Sequence, residues 1–278
     1  MDAQNGICAA QSDGSFGAIR GRPGCSLLIL CDHATNLLPP EYGTLGLPQE
    51  QLDRHIAYDI GALPVAVELG RRLGATVVYS EFSRLLIDPN RATDDPTLIM
   101  QLSDGAVIPG NAHLDAAEIS KRIETHYQPY HDAIASELDS MKAAGLTPAI
   151  ISIHSFTERW RGVLREWRAG ILWDKDPRLA APLLQELRTR TGAAVGDNQP
   201  YSGRLRGDTL YRHATLAGLP NALIEIRQDL IHDEAGQRDW ADILSESLTA
   251  LFADKRMAAA LSRVDYFGSH TDIDDGKR

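Results

Sequence analysis

The chain has 278 residues, of which 43% are hydrophobic and 24% are charged, the ordinary composition of a globular protein. Its 38 acidic and 28 basic residues give a formal net charge of −10, which disfavours nucleic acid and anionic membranes as partners because both are negatively charged. These numbers exclude a disordered or fibrous chain and leave one large globular domain or two small ones.

The two ends of the chain are polar, and the stretch between them is expected to form one domain over residues 25–256. Residues 1–24 and 257–278 are predicted to be a flexible N-terminal segment and a C-terminal tail. The start lacks the basic and apolar regions of a secretory signal, and no window approaches the roughly 18 apolar residues of a membrane span. The three cysteines lack metal-finger or disulfide spacing, so Cys25 and Cys31 are expected inside a cytoplasmic protein with reduced thiols.

Short aliphatic runs alternate along the chain with longer stretches whose apolar residues recur every three or four positions. This alternation predicts an α/β fold with a sheet covered by helices. The predicted strands are Ser26 to Cys31, Thr76 to Ser80, Leu85 to Asp88, Ala149 to Ile153, Gly170 to Trp173 and Ala222 to Ile226. The predicted helices are Gly61 to Leu73, Leu114 to Ala144 with a break or kink at Pro129, Pro177 to Thr191, Asp208 to Gly218 and Arg238 to Ala253.

Four segments place polar residues at or just past an apolar run. They are LLILCDHATN (27–36), SRLLIDPNR (83–91), IISIHSF (150–156) and NALIEIRQD (221–229). In open α/β sheets, ligand sites lie beyond the carboxyl ends of the strands, where the chain leaves the core. The sequence therefore predicts a site assembled from these four segments.

Two histidines, His33 and His154, follow or end predicted central strands. Neutral imidazole is a common zinc ligand, and two imidazoles with one carboxylate suit a catalytic zinc that keeps a position open for water. Glu225 lies within an apolar strand, where a carboxylate is costly to bury unless it is paired or functional, so it is a candidate general base. The alternatives are that each histidine only hydrogen-bonds the backbone and that Glu225 forms an internal salt bridge to Arg227 or another arginine.

Arginines are concentrated in two of the polar segments. SRLLIDPNR contains Arg84, Asn90 and Arg91, and the planar guanidinium suits the binding of a carboxylate. The segment YSGRLRGDTLYRHA (201–214) adds a further set of candidate substrate-binding residues, unless it is only a solvated loop: Arg204, Arg206, Arg212 and His213.

Two aspartates have a structural alternative to a functional role. Asp59 precedes a predicted helix, where it either caps the helix or contacts a metal. Asp88 either caps the Asp-Pro-Asn turn or takes part in the site. Five further histidines lie in helical or tail contexts and are predicted to be at the surface: His113, His126, His131, His232 and His270.

The motifs DHATN, YDIGA, SRLLIDPNR, SIHSF, YSGRLRGDTLYRHA and EIRQDLI occur in this order, and with them the chain resembles the N-formylglutamate amidohydrolase family from about residue 26 to residue 255. It is more similar to a broad, predicted branch than to the histidine-degradation enzymes. Those carry a Pro-His-Ser-Gly-Thr-Glu-like segment where this chain has residues 32–37, DHATNL.

The resemblance implies a fold similar to zinc carboxypeptidases and aspartoacylase, a single domain with a mixed central sheet and helices on both faces. It implies one zinc ion per chain with His33 and His154 as ligands and Glu225 as the base. The family-like motif has Glu where this chain has Asn36, so the third ligand is Asn36, Asp59 or Asp32, or the site takes another metal.

The activity that the resemblance implies is hydrolysis of N-formyl-L-glutamate to formate and L-glutamate. In that reaction the metal polarises the amide carbonyl and activates a water, Glu225 takes the proton of that water, and an arginine stabilises the oxyanion and binds the substrate carboxylates. The candidates for this electrostatic role are Arg84, Arg91 and Arg227.

Two other functions remain open from the sequence. One is a metallopeptidase or deacylase that cuts another N-acyl amino acid or a small peptide. The other is a non-catalytic protein that binds an acidic metabolite, which Asn36 favours because an amide is a poor zinc ligand. Each reading has a small acidic molecule as partner, and a monomer and a homo-oligomer are equally compatible with the sequence.

Overall fold

A mixed sheet of eight strands organises the fold in the computed structural model, which describes residues 11–12 and 14–272. The strands of the described residues are β1 (Gln11–Ser12), β2 (Phe16–Ile19), β3 (Leu27–Cys31), β4 (Thr76–Ser80), β5 (Leu102–Ser103), β6 (Ala106–Val107), β7 (Ala149–Phe156), β8 (Arg159–Trp160), β9 (Val163–Leu164), β10 (Ala169–Leu172), β11 (Val195–Asp197) and β12 (Asn221–Arg227). The α-helices are α1 (Gln49–Leu52), α2 (Ala62–Leu73), α3 (Ala116–Arg122), α4 (Gln128–Ala143), α5 (Pro177–Thr191), α6 (Thr209–His213), α7 (Glu234–Ala253) and α8 (Lys255–Leu261).

The strand order in the large sheet is β1-β2-β4-β3-β7-β12-β10-β11. Its centre, β4-β3-β7-β12, is parallel, whereas β2 pairs antiparallel with β4 and β10 pairs antiparallel with β12. The pairs β5–β6 and β8–β9 form separate hairpins. Because β3, β7 and β12 are parallel neighbours, the residues at their carboxyl ends meet at one edge of the sheet.

Alternation along β3 divides the core between the two faces of the sheet. Leu27, Ile29 and Cys31 pack into one apolar cluster with α2, α5 and α7. Leu28 and Leu30 pack into a second cluster that contains residues of α4, of the segment between β3 and α2, and of the loop after β4. Helices therefore cover both faces, which confirms the predicted α/β architecture with a mixed sheet.

The predicted helix over residues 114–144 is irregular just before Pro129. Its two α-helical parts are joined by a π-helical turn, Ile123–Tyr127. A proline lacks the amide hydrogen of a regular helix, and a wider turn relieves its clash with the preceding residues. The irregularity that the proline predicts is present.

The predicted strand Leu85 to Asp88 is wrong, because these residues form a turn followed by irregular backbone, and Leu85, Leu86 and Ile87 are part of the second core cluster. The side chain of Asn111 donates to the carbonyl of Leu85, and that of Arg122 donates to the carbonyl of Leu86. Side chains thus satisfy backbone groups that a sheet would otherwise pair. An apolar run with buried side chains does not need to be a strand when such partners are available.

The ends of the chain carry more structure than their composition predicts. Residues 1–10 and 13 of the expected flexible segment lie outside the described residues, but Phe16–Ile19 forms β2 and pairs with β4. Helix α8 continues to Leu261, inside the expected tail. Cys31 is buried and Cys25 is partly buried. Within the described ranges, no helix combines the length and apolarity needed to cross a bilayer.

Candidate active site

A cavity of about 430 Å³ lies at the edge of the sheet where β3, β7 and β12 end. His33 lies two residues beyond β3, His154 lies in β7, and Glu225 in β12 is the direct register partner of His154. All three side chains line this cavity, although the chain separates them by up to 192 residues. The sheet brings together the three groups on which the predicted hydrolytic site depends.

Asp59 lies between the two histidines. Its Oδ2 atom is 2.8 Å from Nδ1 of His154 and 3.4 Å from Nδ1 of His33. One nitrogen from each ring and one Asp59 oxygen lie within 4.8 Å of one another, and all three residues are buried. Two imidazole nitrogens and a carboxylate oxygen form a donor set that zinc accepts, with room for a further ligand.

The second nitrogen of each imidazole contacts a different buried carboxylate. Nε2 of His154 is 3.0 Å from Oδ2 of Asp32, and Nε2 of His33 is 2.7 Å from Oδ1 of Asp88. A histidine that ligates a metal ordinarily donates its other ring hydrogen to such a partner, which fixes the tautomer. This arrangement leaves Nδ1 of both rings directed at the Asp59 side, where a cation would be held.

The carboxylates around the histidines remain ionised despite their burial. Burial acts to raise the pKa of Asp32, but its hydrogen bonds with His154 and Ser152 keep that pKa well below the usual range. The pKa of Asp59 is also lowered, since His33 and His154 outweigh the effect of burial. Burial lowers the pKa of His154, but Asp32 and Asp59 together raise it well above its ordinary value. The cluster therefore holds excess negative charge that a cation can balance.

Asp32 is the most extensively bonded of these carboxylates. Its Oδ1 accepts hydrogen bonds from the hydroxyls of Thr209, at 2.6 Å, and Tyr130, at 2.9 Å. Its Oδ2 accepts from Ser152 at 2.6 Å as well as contacting His154. Three separate elements, α4, α6 and β7, therefore fix the carboxylate that orients the His154 ring.

The backbone after Asp59 explains why this aspartate faces the histidines instead of capping a helix. Helix α2 is preceded by Gly61, and no side chain caps it. Gly61 has φ +79°, and a Cβ there would lie 2.1 Å from the carbonyl oxygen of Ile231. Glycine is required for this left-handed turn and close approach. The Asp59 carboxylate is thus free to accept the amide of Ser155 in addition to contacting both imidazoles.

Glu225 is buried and partly unsatisfied. Among the residues that the structure describes, no donor reaches its Oε2 atom. Burial raises the pKa of Glu225 to about 7, with His154 lowering it and Asp59 raising it. Arg227, the named partner in the alternative of an internal salt bridge, pairs instead with Asp229 at 2.7 Å. An unpaired carboxyl group with a pKa near neutrality suits proton transfer.

Arg84 lines the cavity but is already bound on one side. Its Nη2 donates to Asp88 at 2.7 Å, and its Nη1 is 3.2 Å from Nδ1 of His33 and 3.6 Å from Asp59. Burial opposes the charged form, but Asp88 and Asp59 raise the pKa of Arg84. Asp88 also accepts the Asn90 amide at 2.9 Å, so the predicted turn cap and a role at the site coexist.

Three other predicted substrate-binding or catalytic residues line the cavity: Asn90, Arg91 and Arg204. Arg91 donates to the carbonyl of Asn90, and the side-chain oxygen of Asn90 accepts the amide of Thr209. Arg204 is exposed at the cavity, and its guanidinium forms no hydrogen bond or ion pair with the described residues.

Five candidate site residues are not among the residues that line the cavity. The amide nitrogen of Asn36 donates to the carbonyl of Leu52. Arg227 is held by Asp229, and His213 stacks on His131 with 2.9 Å between Nε2 and Nδ1. Arg212 donates to the Tyr127 hydroxyl at 2.8 Å, and Arg206 is exposed.

The sequence does not identify several polar residues that are buried around the site. His126 and His131 are predicted to be at the surface, but they are only 8% and 2% exposed, and His131 contacts the carbonyl of Pro89. Ser152 and Thr209 lie inside the motifs IISIHSF and YSGRLRGDTLYRHA, but nothing in the sequence singles them out, and Tyr130 lies in none of the motifs. Their role depends on contacts between distant elements. Only the apolar strand around Ser152 contained a signal, namely a hydroxyl inside a fully buried run.

A family model described as N-formylglutamate amidohydrolase matches residues 25–232 of this chain. An N-formylglutamate deformylase of Pseudomonas putida is 28% identical over 167 residues, which are 54% of this chain and 61% of that enzyme. An N-formylglutamate deformylase of Pseudomonas aeruginosa is 28% identical over 210 residues, which are 70% of this chain and 76% of that enzyme. The match therefore spans less than two thirds of the first of these enzymes.

Two solved structures are similar over most of the chain. A gene product of Agrobacterium tumefaciens superposes with a TM-score of 0.81 and is 38% identical, covering 89% of this chain and 95% of its own. An N-formylglutamate amidohydrolase of Ralstonia eutropha superposes with a TM-score of 0.64 and is 22% identical, covering 86% of this chain and 98% of its own. The second likeness concerns the fold alone.

Proposed function

The chain belongs to the N-formylglutamate amidohydrolase family, and on that premise we propose that it hydrolyses the amide of N-formyl-L-glutamate to formate and L-glutamate. We further propose that it does so with one zinc ion held by His33, Asp59 and His154. The observation that carries the proposal is the convergence of this donor set with the unpaired Glu225 carboxyl group on one cavity.

The residues present fit a zinc ion. Two nitrogens and one oxygen are the donor types that catalytic zinc takes, and Asp32 and Asp88 orient the two rings from behind. Asp59 supplies the carboxylate that the resemblance would have placed at position 36. This donor set supports an enzyme over a non-catalytic binding protein. When bound, zinc supplies Lewis-acid stabilisation of the amide carbonyl and lowers the pKa of water in the cavity.

Glu225 takes the proton of the attacking water in this proposal. The water oxygen forms a bond to the formyl carbon, and the carbon–nitrogen bond of the amide breaks. Glu225 then delivers the proton to the leaving nitrogen, so the products are formate and the free amino group of glutamate. A pKa near 7 allows the same carboxyl group to accept and return a proton at neutral pH.

The arginines that line the cavity provide the charge that an acidic substrate needs. Arg204 is exposed at the cavity with its guanidinium uncommitted, and Arg91 retains its Nη2 atom beyond its contacts with Asn90 and Thr97. Arg204 can bind a carboxylate of N-formyl-L-glutamate in the planar, two-pronged manner of guanidinium groups, and Arg91 can donate from Nη2. Arg84, which already pairs with Asp88, contributes positive charge close to the reacting carbonyl.

The test is release of formate and primary amine by purified protein that has been stripped of metal and then reloaded with zinc. We expect turnover of N-formyl-L-glutamate that depends on zinc and is lost in His154→Asn. N-acetyl and N-succinyl amino acids and dipeptides serve as competitors. Turnover of dipeptides but of no formyl substrate would favour a metallopeptidase, and failure to bind zinc at all would favour a binding protein.

A further inference from the structure

The segment that follows α8, residues 262–272, runs beyond the region matched by the family model, which ends at residue 232. We call it the C-terminal segment. Arg178 fixes its first half by donating to the carbonyls of Arg263, at 2.6 Å, and Asp265, at 3.4 Å. The ring of Phe267 lies 5.2 Å from the same guanidinium. Arg178 is itself buried and paired with Asp176, so this anchor is rigid.

The second half of the C-terminal segment reaches two residues that line the cavity, Asp174 and Tyr211. The backbone amide of His270 lies 3.1 and 3.2 Å from the two carboxylate oxygens of Asp174, and the His270 ring contacts the same group through Nδ1. The Tyr211 hydroxyl donates to Asp272 at 3.2 Å. The segment therefore packs behind part of the cavity lining.

The contact with His270 matters because of the charge of Asp174. Burial would raise the pKa of Asp174, but hydrogen bonds from Ser269 and His270 lower it, so the group is ionised at neutral pH. An ionised Asp174 repels an acidic molecule that binds in the cavity. The repulsion between Asp174 and that molecule is weakened because the ring and the backbone amide of His270 contact both Asp174 oxygens.

We propose that His270 is a specificity-determining positioning residue, which holds Asp174 through contacts with both of its carboxylate oxygens so that the cavity accepts a negatively charged amino-acid side chain. The inference rests on the proposed function, because it concerns the side chain of the N-formyl amino acid. His270 does not contact the reacting atoms. It acts through Asp174, and its removal leaves the metal ligands and Glu225 in place.

The test compares N-formyl-L-glutamate with N-formyl-L-glutamine, which has nearly the same shape without the negative charge. In His270→Ala we expect kcat/KM for the glutamate substrate to fall about tenfold, through KM, because Asp174 loses its compensation. The glutamine substrate should change less than about twofold. Combining His270→Ala with Asp174→Asn should restore the glutamate substrate. Tyr266→Ala, in the same segment and 73% exposed, serves as the control.

An equal fall for both substrates, or no change in their ratio, would overturn the inference, and so would failure of Asp174→Asn to rescue. Absence of formate release by the unaltered protein would instead overturn the proposed function. Calorimetric binding of L-glutamate and L-glutamine to the same variants then decides the inference separately. A preference for glutamate that persists in His270→Ala contradicts it.

Discussion

Replacing Glu225 with glutamine should abolish catalysis and at the same time stabilise the protein above neutral pH. Glutamine has nearly the shape of glutamate but accepts no proton, so kcat should fall by about 10² to 10⁴ if Glu225 is the base. The effect on stability follows from burial. A carboxyl group whose pKa rises from 4.5 to about 7 on folding prefers to be protonated in the folded state.

The direction of the pH dependence is fixed by this shift. Near pH 5 the Glu225 carboxyl group is protonated in the folded protein and has begun to ionise in the unfolded chain. With respect to this group, the folded protein is therefore more stable near pH 5 than at higher pH. As the pH rises through 7 that stability is lost. One unit of pKa corresponds to about 1.4 kcal/mol, so the metal-free wild type should lose about 2 to 3 kcal/mol between pH 5 and pH 8 from this group.

The assay is urea unfolding of chelator-treated wild type and Glu225→Gln at several pH values between 5 and 8. The difference between the two should grow in favour of the variant as pH rises, by about 2 to 3 kcal/mol. Glu246→Gln, whose side chain is 65% exposed and pairs with Arg190 at the surface, is the matched control for the loss of one carboxylate. A variant that is inactive but has a pH-independent stability difference would refute the raised pKa, and an active variant would refute the assignment of the base.

Three further outcomes test the rest of the site. Asp32→Asn should weaken zinc binding about 10- to 100-fold by calorimetry because the His154 ring loses its orienting charge, whereas Ser152→Ala, which removes a different partner of Asp32, should change it less than about threefold. Zinc at 100 times its dissociation constant should stabilise the wild type by about 2.7 kcal/mol in thermal unfolding, and a similar gain in His154→Asn would place the metal elsewhere. Arg204→Gln should raise KM for N-formyl-L-glutamate about tenfold with kcat retained, whereas equal effects from Arg206→Gln, outside the cavity lining, would argue for a general effect of surface charge.

The central sheet is predictable because its signal is local. The strands β3, β7 and β12 are rich in aliphatic residues and are buried along their length except at Arg227, and such runs indicate strands covered on both faces. The same reasoning fails at Leu85 to Asp88, where Asn111 and Arg122 satisfy carbonyls that a sheet would pair. Those partners lie 26 and 36 residues away in sequence, so no local sequence pattern predicts them.

The third member of the metal cluster illustrates the same limit within the site. Spacing from His33 draws attention to Asn36, three residues on, but the amide nitrogen of Asn36 donates to Leu52. Asp59 takes the position because the left-handed Gly61 turn directs its carboxylate toward the histidines. Its proximity to His154 depends on how this loop packs against β7, which spacing along the chain does not reveal.

By itself the sequence determined which strands are buried, that imidazole and carboxylate groups lie at their ends, and which family the chain resembles. Each of these features depends on residues that are neighbours in the sequence, so the local order of residues is enough to predict it. Tertiary structure alone decided that Asp59 joins His33 and His154, that Asp32 and Asp88 hold the rings, and that His270 returns to the cavity lining at Asp174. Hydrogen bonds act over about 3 Å, and distances of that size between residues far apart in sequence exist only once the sheet has formed.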